Sequence, residues 1–67
     1  MEITINGEKR ADFASPLTVA ELLEQLGINP KSIVVERNLE IVAKNRMNET
    51  TVRDGDAIEI IRLVGGG

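Results

Sequence analysis

One segment of the chain stands out by the helical spacing of its apolar residues. Val19, Leu22, Leu23 and Leu26 recur at intervals of three and four residues, which places them on one face of a helix. The sequence on either side contains short alternating or continuous apolar stretches that are typical of β-strands. A chain of 67 residues forms at most one domain. The pattern predicts an α+β fold in which one helix covers one face of a small sheet.

The ends of this helix are marked by specific residues. Thr18 is placed to accept a hydrogen bond from a backbone N–H group while Glu21 reaches back, which is the pattern of a capping box. Gly27 can adopt the left-handed conformation that ends many helices, and Pro30 prevents the helix from resuming. We therefore predict a helix over residues 19–26.

The first strands are predicted from alternation and from a turn. Apolar and polar residues alternate over residues 2–6, as in a strand with one buried face. Asn6-Gly7 is a strong hairpin signal, since both central residues of a type I′ turn need positive φ. We expect the second strand over residues 8–13, with Ala11 and Phe13 facing inward.

Three further strands are expected after the helix, which gives the order β-β-α-β-β-β. The polar run over residues 43–51 indicates a surface loop with Met47 as an apolar anchor, and Gly55 indicates a turn before the last strand. The three strands are predicted at residues 33–36, 39–42 and 57–64.

Composition excludes most kinds of self-contained catalysis. The chain has no cysteine and no histidine, so it offers no disulfide, no thiolate or imidazole zinc ligand, no thiol nucleophile and no imidazole base. Its net charge of -3 and its single aromatic residue, Phe13, argue against a nucleic-acid binding surface. No apolar run approaches the roughly 20 residues that cross a bilayer, and the first residues do not resemble a signal peptide. We expect a cytoplasmic protein with neither a nucleic-acid nor a membrane partner, and with no intrinsic cofactor or metal.

The predicted last strand leads directly into three glycines. Gly65, Gly66 and Gly67 lack Cβ atoms, so they can enter a channel that is too narrow for other side chains. Fully extended, they reach about 10 Å beyond the strand. We predict a folded domain over residues 1–64 and a flexible tail over residues 65–67 that delivers the carboxylate of Gly67 to another protein's active site. The alternative is an ordinary disordered chain end.

Apolar residues near the tail suggest a second contact with a partner. In a regular strand Ile61 and Leu63 share the face that the helix does not cover. We predict a docking patch formed by Ile61, Leu63 and Val64, with Val34 or Val35 beside it. The alternative is a bulge that turns Ile61 inward, or a patch that only seals the second face of the sheet.

These motifs together resemble a known family. Asn6-Gly7, residues 18–23 (TVAELL), residues 52–56 (VRDGD) and residues 64–67 (VGGG) occur in the order and spacing of the ThiS/MoaD family of ubiquitin-like β-grasp sulfur carriers. The resemblance spans the chain, and the short chain with its Val-Gly-Gly-Gly ending favours the ThiS branch. It implies a mixed sheet with the first and last strands adjacent and parallel at its centre, and one helix across one face.

The resemblance also implies a chemistry that is carried out by partners. A ThiF-like enzyme would use ATP and Mg²⁺ to adenylate Gly67, and sulfur from a donor such as a cysteine desulfurase would then convert it to a thiocarboxylate. A ThiG-like thiazole synthase would receive the sulfur for thiamin biosynthesis. The chain would be a protein cosubstrate and not an enzyme.

Three alternatives remain open from the sequence. The same tail chemistry serves other sulfur-transfer pathways, such as molybdopterin synthesis or tRNA thiolation. A noncatalytic interaction domain would use the sheet alone, with the tail incidental. Small-molecule binding has little support, since a chain this short has scant room for an enclosed pocket of about 300–1,000 Å³.

Overall fold

The computed structural model describes residues 1–63. Within this span, seven strands, one α-helix and two short 3₁₀ helices follow one another along the chain. The strands are β1 Ile3–Ile5, β2 Glu8–Arg10, β3 Leu17–Thr18, β4 Ile33–Arg37, β5 Glu40–Val42, β6 Thr51–Val52 and β7 Ala57–Arg62. Helix α1 is Val19–Leu26, and the 3₁₀ helices are Pro30–Ser32 and Lys44–Arg46.

The main sheet has five strands in the order β2-β1-β7-β4-β5. Strands β1 and β7 are parallel neighbours, whereas β2, β4 and β5 each pair antiparallel with their neighbours. The first and last strands therefore lie side by side at the centre of a mixed sheet, which confirms the expected α+β architecture. Strands β3 and β6 form a separate two-stranded sheet that the sequence analysis did not predict.

The first hairpin forms as predicted, but its second strand is shorter. Asn6 and Gly7 have φ values of 50° and 82°, as a type I′ turn requires. Strand β2 ends at Arg10 and not at residue 13. The Arg10 guanidinium donates two hydrogen bonds to the Asp12 carboxylate, at 2.9 and 2.8 Å, so the chain turns out of the sheet there. Phe13 is buried as predicted, whereas the expectation of an inward-facing Ala11 was wrong because the strand ends before it.

Helix α1 has the predicted bounds and the predicted ends. The Thr18 Oγ1 accepts a hydrogen bond from the Glu21 N–H at 3.1 Å, and the Glu21 Oε1 accepts one from the Thr18 N–H at 2.8 Å. At the other end Gly27 is left-handed with φ 71°, and the Ile28 N–H donates to the Leu23 carbonyl at 2.9 Å. The capping box and the Schellman closure are both confirmed.

The second hairpin uses a different turn from the one expected. Asn38 and Leu39, not Arg37 and Asn38, connect β4 to β5, and their φ values are 52° and 70°. Leucine is unusual in this left-handed region, which is sterically unfavourable for residues with a Cβ atom. Strand β5 therefore begins at Glu40, one residue later than predicted.

The core lies between α1 and one face of the main sheet. Met47 is 4% exposed, so it is the anchor of the 43–51 segment as predicted, although that segment also contains a 3₁₀ helix and the start of β6. The buried apolar residues form one cluster comprising Ile3, Ile5, Phe13, Leu17, Val19, Leu22, Leu23, Ile33, Val35, Val42, Met47, Val52 and Ile58.

Candidate functional site

Strand β7 leads from the centre of the sheet towards the glycine segment. On one side it pairs with β4 along its length, from Arg37↔Ile58 to Ile33↔Arg62. The Leu63 N–H extends this contact by donating to the Ser32 carbonyl at 3.0 Å. The backbone is therefore hydrogen-bonded up to the last described residue. The predicted tail residues Gly65, Gly66 and Gly67, the patch residue Val64 and the predicted domain boundary at 64 lie outside the described residues.

The face of the sheet opposite α1 exposes the apolar residues that were predicted to lie there. Ile61 is 44% exposed and Leu63 is 50% exposed, and no inward turn of Ile61 occurs. Val34 lies directly opposite Ile61 in the β4–β7 register and is half-buried. Val35 faces the core and is completely buried, because neighbouring residues of a strand point to opposite faces. The suggestion of Val35 as a patch residue was therefore wrong.

The same face carries a pair of carboxylates and a third exposed apolar residue. Glu36 lies opposite Glu59 on β7 and opposite Ile41 on β5. Ile41 is 71% exposed, and the sequence analysis missed it, although its alternation with buried Val42 on the same strand is the signal that indicates its orientation. Two glutamates directly opposite each other are unfavourable within a sheet, and neither forms an ion pair within residues 1–63. We call this surface the exposed sheet face, and it comprises Val34, Glu36, Ile41, Glu59, Ile61 and Leu63.

The start of β7 is fixed by a buried carboxylate. Asp56 is 6% exposed and accepts hydrogen bonds from the Arg37 Nε at 2.7 Å, the Asn38 Nδ2 at 3.0 Å and the Arg53 N–H at 2.8 Å. Burial acts to raise the pKa of Asp56, but the hydrogen bonds from Arg53, Asn38 and Arg37 outweigh it and leave the pKa below its usual value. No local pattern in the sequence indicates that Asp56 is buried, because its partner Arg37 is remote in sequence.

A groove lies between α1 and the segments that follow it. Its volume is about 510 Å³, and its walls include Leu23, Ile28, Lys31, Lys44 and Met47. The groove is open to solvent, so it is not the enclosed pocket for which the sequence left scant room. Within residues 1–63, no buried side-chain polar atom lacks a hydrogen-bond partner, so the groove contains no unpaired buried polar group for a ligand to satisfy.

The described residues offer no metal site or membrane span. Among residues 1–63, no three carboxylate, histidine or cysteine side chains are grouped so as to hold a metal ion. No helix in the same part of the chain is long and apolar enough to cross a bilayer.

The comparison with known proteins identifies the family. The model of the ThiS family matches residues 1–67. The chain belongs to the ThiS family. A crystal structure of the thiamine biosynthesis protein ThiS from Geobacter metallireducens has a TM-score of 0.86 and 39% sequence identity, with 100% of both chains covered.

Two further relatives of this chain differ from each other in length. The sulfur carrier protein ThiS of Bacillus subtilis is 44% identical over 50 residues, which cover 75% of this chain and 76% of that protein. A thiazole synthase from Paramagnetospirillum magneticum is 46% identical over 67 residues, which are 100% of this chain but 20% of that protein. The chain therefore spans a fifth of the length of this thiazole synthase.

Membership of the ThiS family confirms two expectations from the sequence. The resemblance to the ThiS branch was correct, and so was the β-grasp fold that it implied. Membership likewise identifies the chain as a ThiS family sulfur carrier. The predicted roles of individual residues stay predictions at this point.

Proposed function

We propose that this ThiS family member carries sulfur for thiazole formation in thiamin biosynthesis, as a thiocarboxylate on Gly67. The observation that carries the proposal is the family match over the whole chain, together with a glycine segment that begins three residues after the end of the central strand in the sequence. The similarity to a thiazole synthase over a fifth of that protein's length supports a ThiG-like synthase as the recipient of the sulfur.

The chemistry begins with activation of an unreactive group. A carboxylate is a poor electrophile, so the Gly67 carboxylate first attacks the α-phosphorus of ATP, and pyrophosphate leaves. A ThiF-like partner binds the ATP and the Mg²⁺ that stabilises the phosphate charge. The terminal sulfur of a persulfide on a donor such as a cysteine desulfurase then attacks the acyl carbon, and AMP leaves. A thiol reductant attacks the donor-side sulfur of the resulting acyl disulfide, which releases the thiocarboxylate and leaves a disulfide between the reductant and the donor. Since ATP is a cytoplasmic substrate, the proposal keeps the cytoplasmic location expected from the sequence.

The glycine segment suits this role because the activated carbon has to enter another protein's active site. Gly65 and Gly66 bring no side chain into the entry channel, and three extended residues span about 10 Å. Ordering each residue costs about 1–2 kcal/mol. A second contact with the partner is therefore needed to offset this cost.

We assign that second contact to the exposed sheet face. Ile61 and Leu63 lie next to the glycine segment and provide apolar area, and the Glu36 and Glu59 pair adds negative charge beside it. Basic side chains on the partner would relieve the repulsion between these two glutamates and so gain energy on binding. The proposed partner surface is therefore apolar with a basic rim.

Mass spectrometry tests the tail chemistry. The intact protein is incubated with ATP, Mg²⁺, a ThiF-like enzyme, a sulfur donor and a thiol reductant, and the expected product has one oxygen replaced by sulfur at Gly67. A variant that lacks Gly66 and Gly67 should keep its far-UV circular dichroism spectrum and gain no sulfur. Wild-type protein that gains no sulfur in this mixture would refute the proposal. If the sulfur-loaded protein supplies sulfur to molybdopterin synthesis or tRNA thiolation but not to thiazole synthase, the carrier belongs to another sulfur pathway.

A pair of leucine substitutions tests the docking surface. Leu63→Glu replaces an apolar contact of the exposed sheet face with a charge that would be buried against the apolar part of the partner surface. We expect it to raise the KM of the activating enzyme for the carrier by about tenfold, or ~1.4 kcal/mol. Leu39→Glu is the matched control, because Leu39 is 87% exposed and lies in the turn outside that face. Equal effects of the two substitutions, or a parallel loss of folding by Leu63→Glu, would refute the docking role. Ile61→Glu should behave like Leu63→Glu.

A further inference from the structure

The backbone pairing between β1 and β7 stops before β7 ends. The Thr4 N–H donates to the Asp56 carbonyl, and the Asn6 N–H donates to the Ile58 carbonyl, both at 2.9 Å. A continued parallel ladder would next bring the Ile60 N–H to the backbone carbonyl of residue 6. Asn6 has φ 50°, however, and this turn conformation takes its backbone out of the strand.

The side chain of Asn6 makes the contact that its backbone cannot. Its Oδ1 accepts a hydrogen bond from the Ile60 N–H at 2.7 Å, and its Nδ2 donates to the Ile60 carbonyl at 3.4 Å. The amide group thus resembles one more strand residue beside β7. Within residues 1–63, these two hydrogen bonds are the last that β7 makes on its β1 side.

Beyond Ile60, the described part of the chain pairs with β7 on one side only. Strand β4 continues to pair with it, and the Leu63 N–H reaches the Ser32 carbonyl. With the Asn6 contact, the backbone just before residues 61–63 is hydrogen-bonded on both sides of β7. A backbone that is already ordered in the free protein loses less conformational entropy when the partner binds the residues that follow it.

We propose that Asn6 is a positioning residue that aligns the end of β7 so that the glycine segment is presented to the activating enzyme. The proposal rests on the proposed sulfur-carrier function and assigns a role in it to a residue that does not contact the reacting atoms. Asn6 acts through Ile60, which it holds against the end of β1.

A test of this role has to distinguish the side-chain contact of Asn6 with Ile60 from the contribution of Asn6 to the hairpin turn. Asn6→Gly keeps the type I′ turn, because Gly-Gly suits positive φ at both positions, but it removes the side-chain contact. Asn6→Asp keeps an oxygen for the Ile60 N–H. Asn38→Gly is the matched control, since Asn38 also begins a two-residue turn at φ 52° and its Oδ1 also accepts from β7, at the Ala57 N–H at 2.9 Å. That contact lies at the opposite end of the strand.

The experiment combines enzyme kinetics with amide exchange in the free, intact protein. For Asn6→Gly we expect the KM for the carrier in adenylation to rise about fivefold with unchanged kcat. This factor corresponds to the loss of one hydrogen bond with a net contribution of about 1 kcal/mol. Hydrogen exchange at the Ile60 amide should accelerate by a similar factor. Asn6→Asp should restore both quantities to within about twofold of wild type.

Asn38→Gly should leave the KM unchanged although it removes a second contact, the one to Asp56. A KM for Asn6→Gly equal to that of wild type, or an equal rise for Asn38→Gly, would overturn the positioning role, since general destabilisation would then account for the result. If the wild-type protein is not adenylated at all, the proposed function fails first and the positioning role falls with it.

Discussion

Replacement of Asp56 by alanine should be among the most destabilising single changes in this protein. The substitution removes the acceptor of three hydrogen bonds, from Arg37, Asn38 and the Arg53 N–H. At about 1 kcal/mol of net stability for each bond, the loss is about 3 kcal/mol. The side chain of Arg37 is 29% exposed, so water can solvate its guanidinium in the variant, which keeps the cost below that of a fully buried unpaired charge.

The size of this effect makes it easy to measure. A domain of this size is stable by about 3–10 kcal/mol, and a loss of 3 kcal/mol lowers Tm by about 12–24 °C. The chain has no tryptophan or tyrosine, so far-UV circular dichroism is the suitable probe for thermal and urea unfolding. Asp54→Ala is the matched control, because Asp54 lies in the same turn and its exposed carboxylate accepts one hydrogen bond, from the Glu2 N–H at 2.7 Å.

The stabilisation by Asp56 should also depend on pH in a defined direction. Its pKa is lower in the folded protein than its usual value, so the ionised group stabilises the fold above the unfolded pKa of about 3.9. This contribution is lost as the pH falls through the lowered folded pKa. The difference in unfolding free energy between wild type and Asp56→Ala should therefore be constant near neutral pH and should shrink at acidic pH.

Two results would refute this reasoning. A stability of Asp56→Ala within about 1 kcal/mol of wild type, or no lower than that of Asp54→Ala, would show that the buried contacts contribute no more than a surface contact. A stability difference that grows on acidification would show that the sign of the pKa shift is wrong.

Three further changes in stability follow from the fold. Thr18→Ala removes the helix cap and should cost about 1 kcal/mol in thermal unfolding, whereas Thr18→Ser should be nearly neutral, since serine is at least as good an N-cap as threonine. Leu39→Gly should stabilise the protein by about 0.5–1 kcal/mol in urea unfolding, because Leu39 is exposed and has positive φ; a loss of stability would contradict this. Met47→Ala should cost about 2–4 kcal/mol, since Met47 is 4% exposed, and a cost below 1 kcal/mol would show that it does not anchor its segment.

The parts of the fold that the sequence predicts are those encoded by neighbouring residues. Thr18, Glu21 and Gly27 define both ends of α1 within a span that one helix bridges. Asn6-Gly7 defines the first hairpin for the same reason. The parallel pairing of β1 with β7 came from the family resemblance, because residues more than 50 positions apart leave no local pattern that specifies their register.

The missed features depend on contacts between distant segments. Strands β3 and β6 have two residues each, too few for an alternation to be recognised. Leucine disfavours positive φ, yet Leu39 adopts a φ of 70° in this turn. The pairing of β4 with β5 overrides that local preference. Asp56 became recognisable as a buried group only when the fold brought Arg37 and Asn38 to it.

The two asparagines at the start of the hairpin turns connect the fold to the proposed function. Asn6 and Asn38 have nearly equal φ values of 50° and 52°, and each side chain accepts a hydrogen bond from β7, at Ile60 and at Ala57. A residue that tolerates positive φ and also carries a hydrogen-bonding side chain can close a turn and extend a sheet at once, and asparagine combines both properties. The hairpins on either side of β7 therefore fix it near both ends. Under the proposed function, a central strand fixed in this way would give the glycine segment a rigid base.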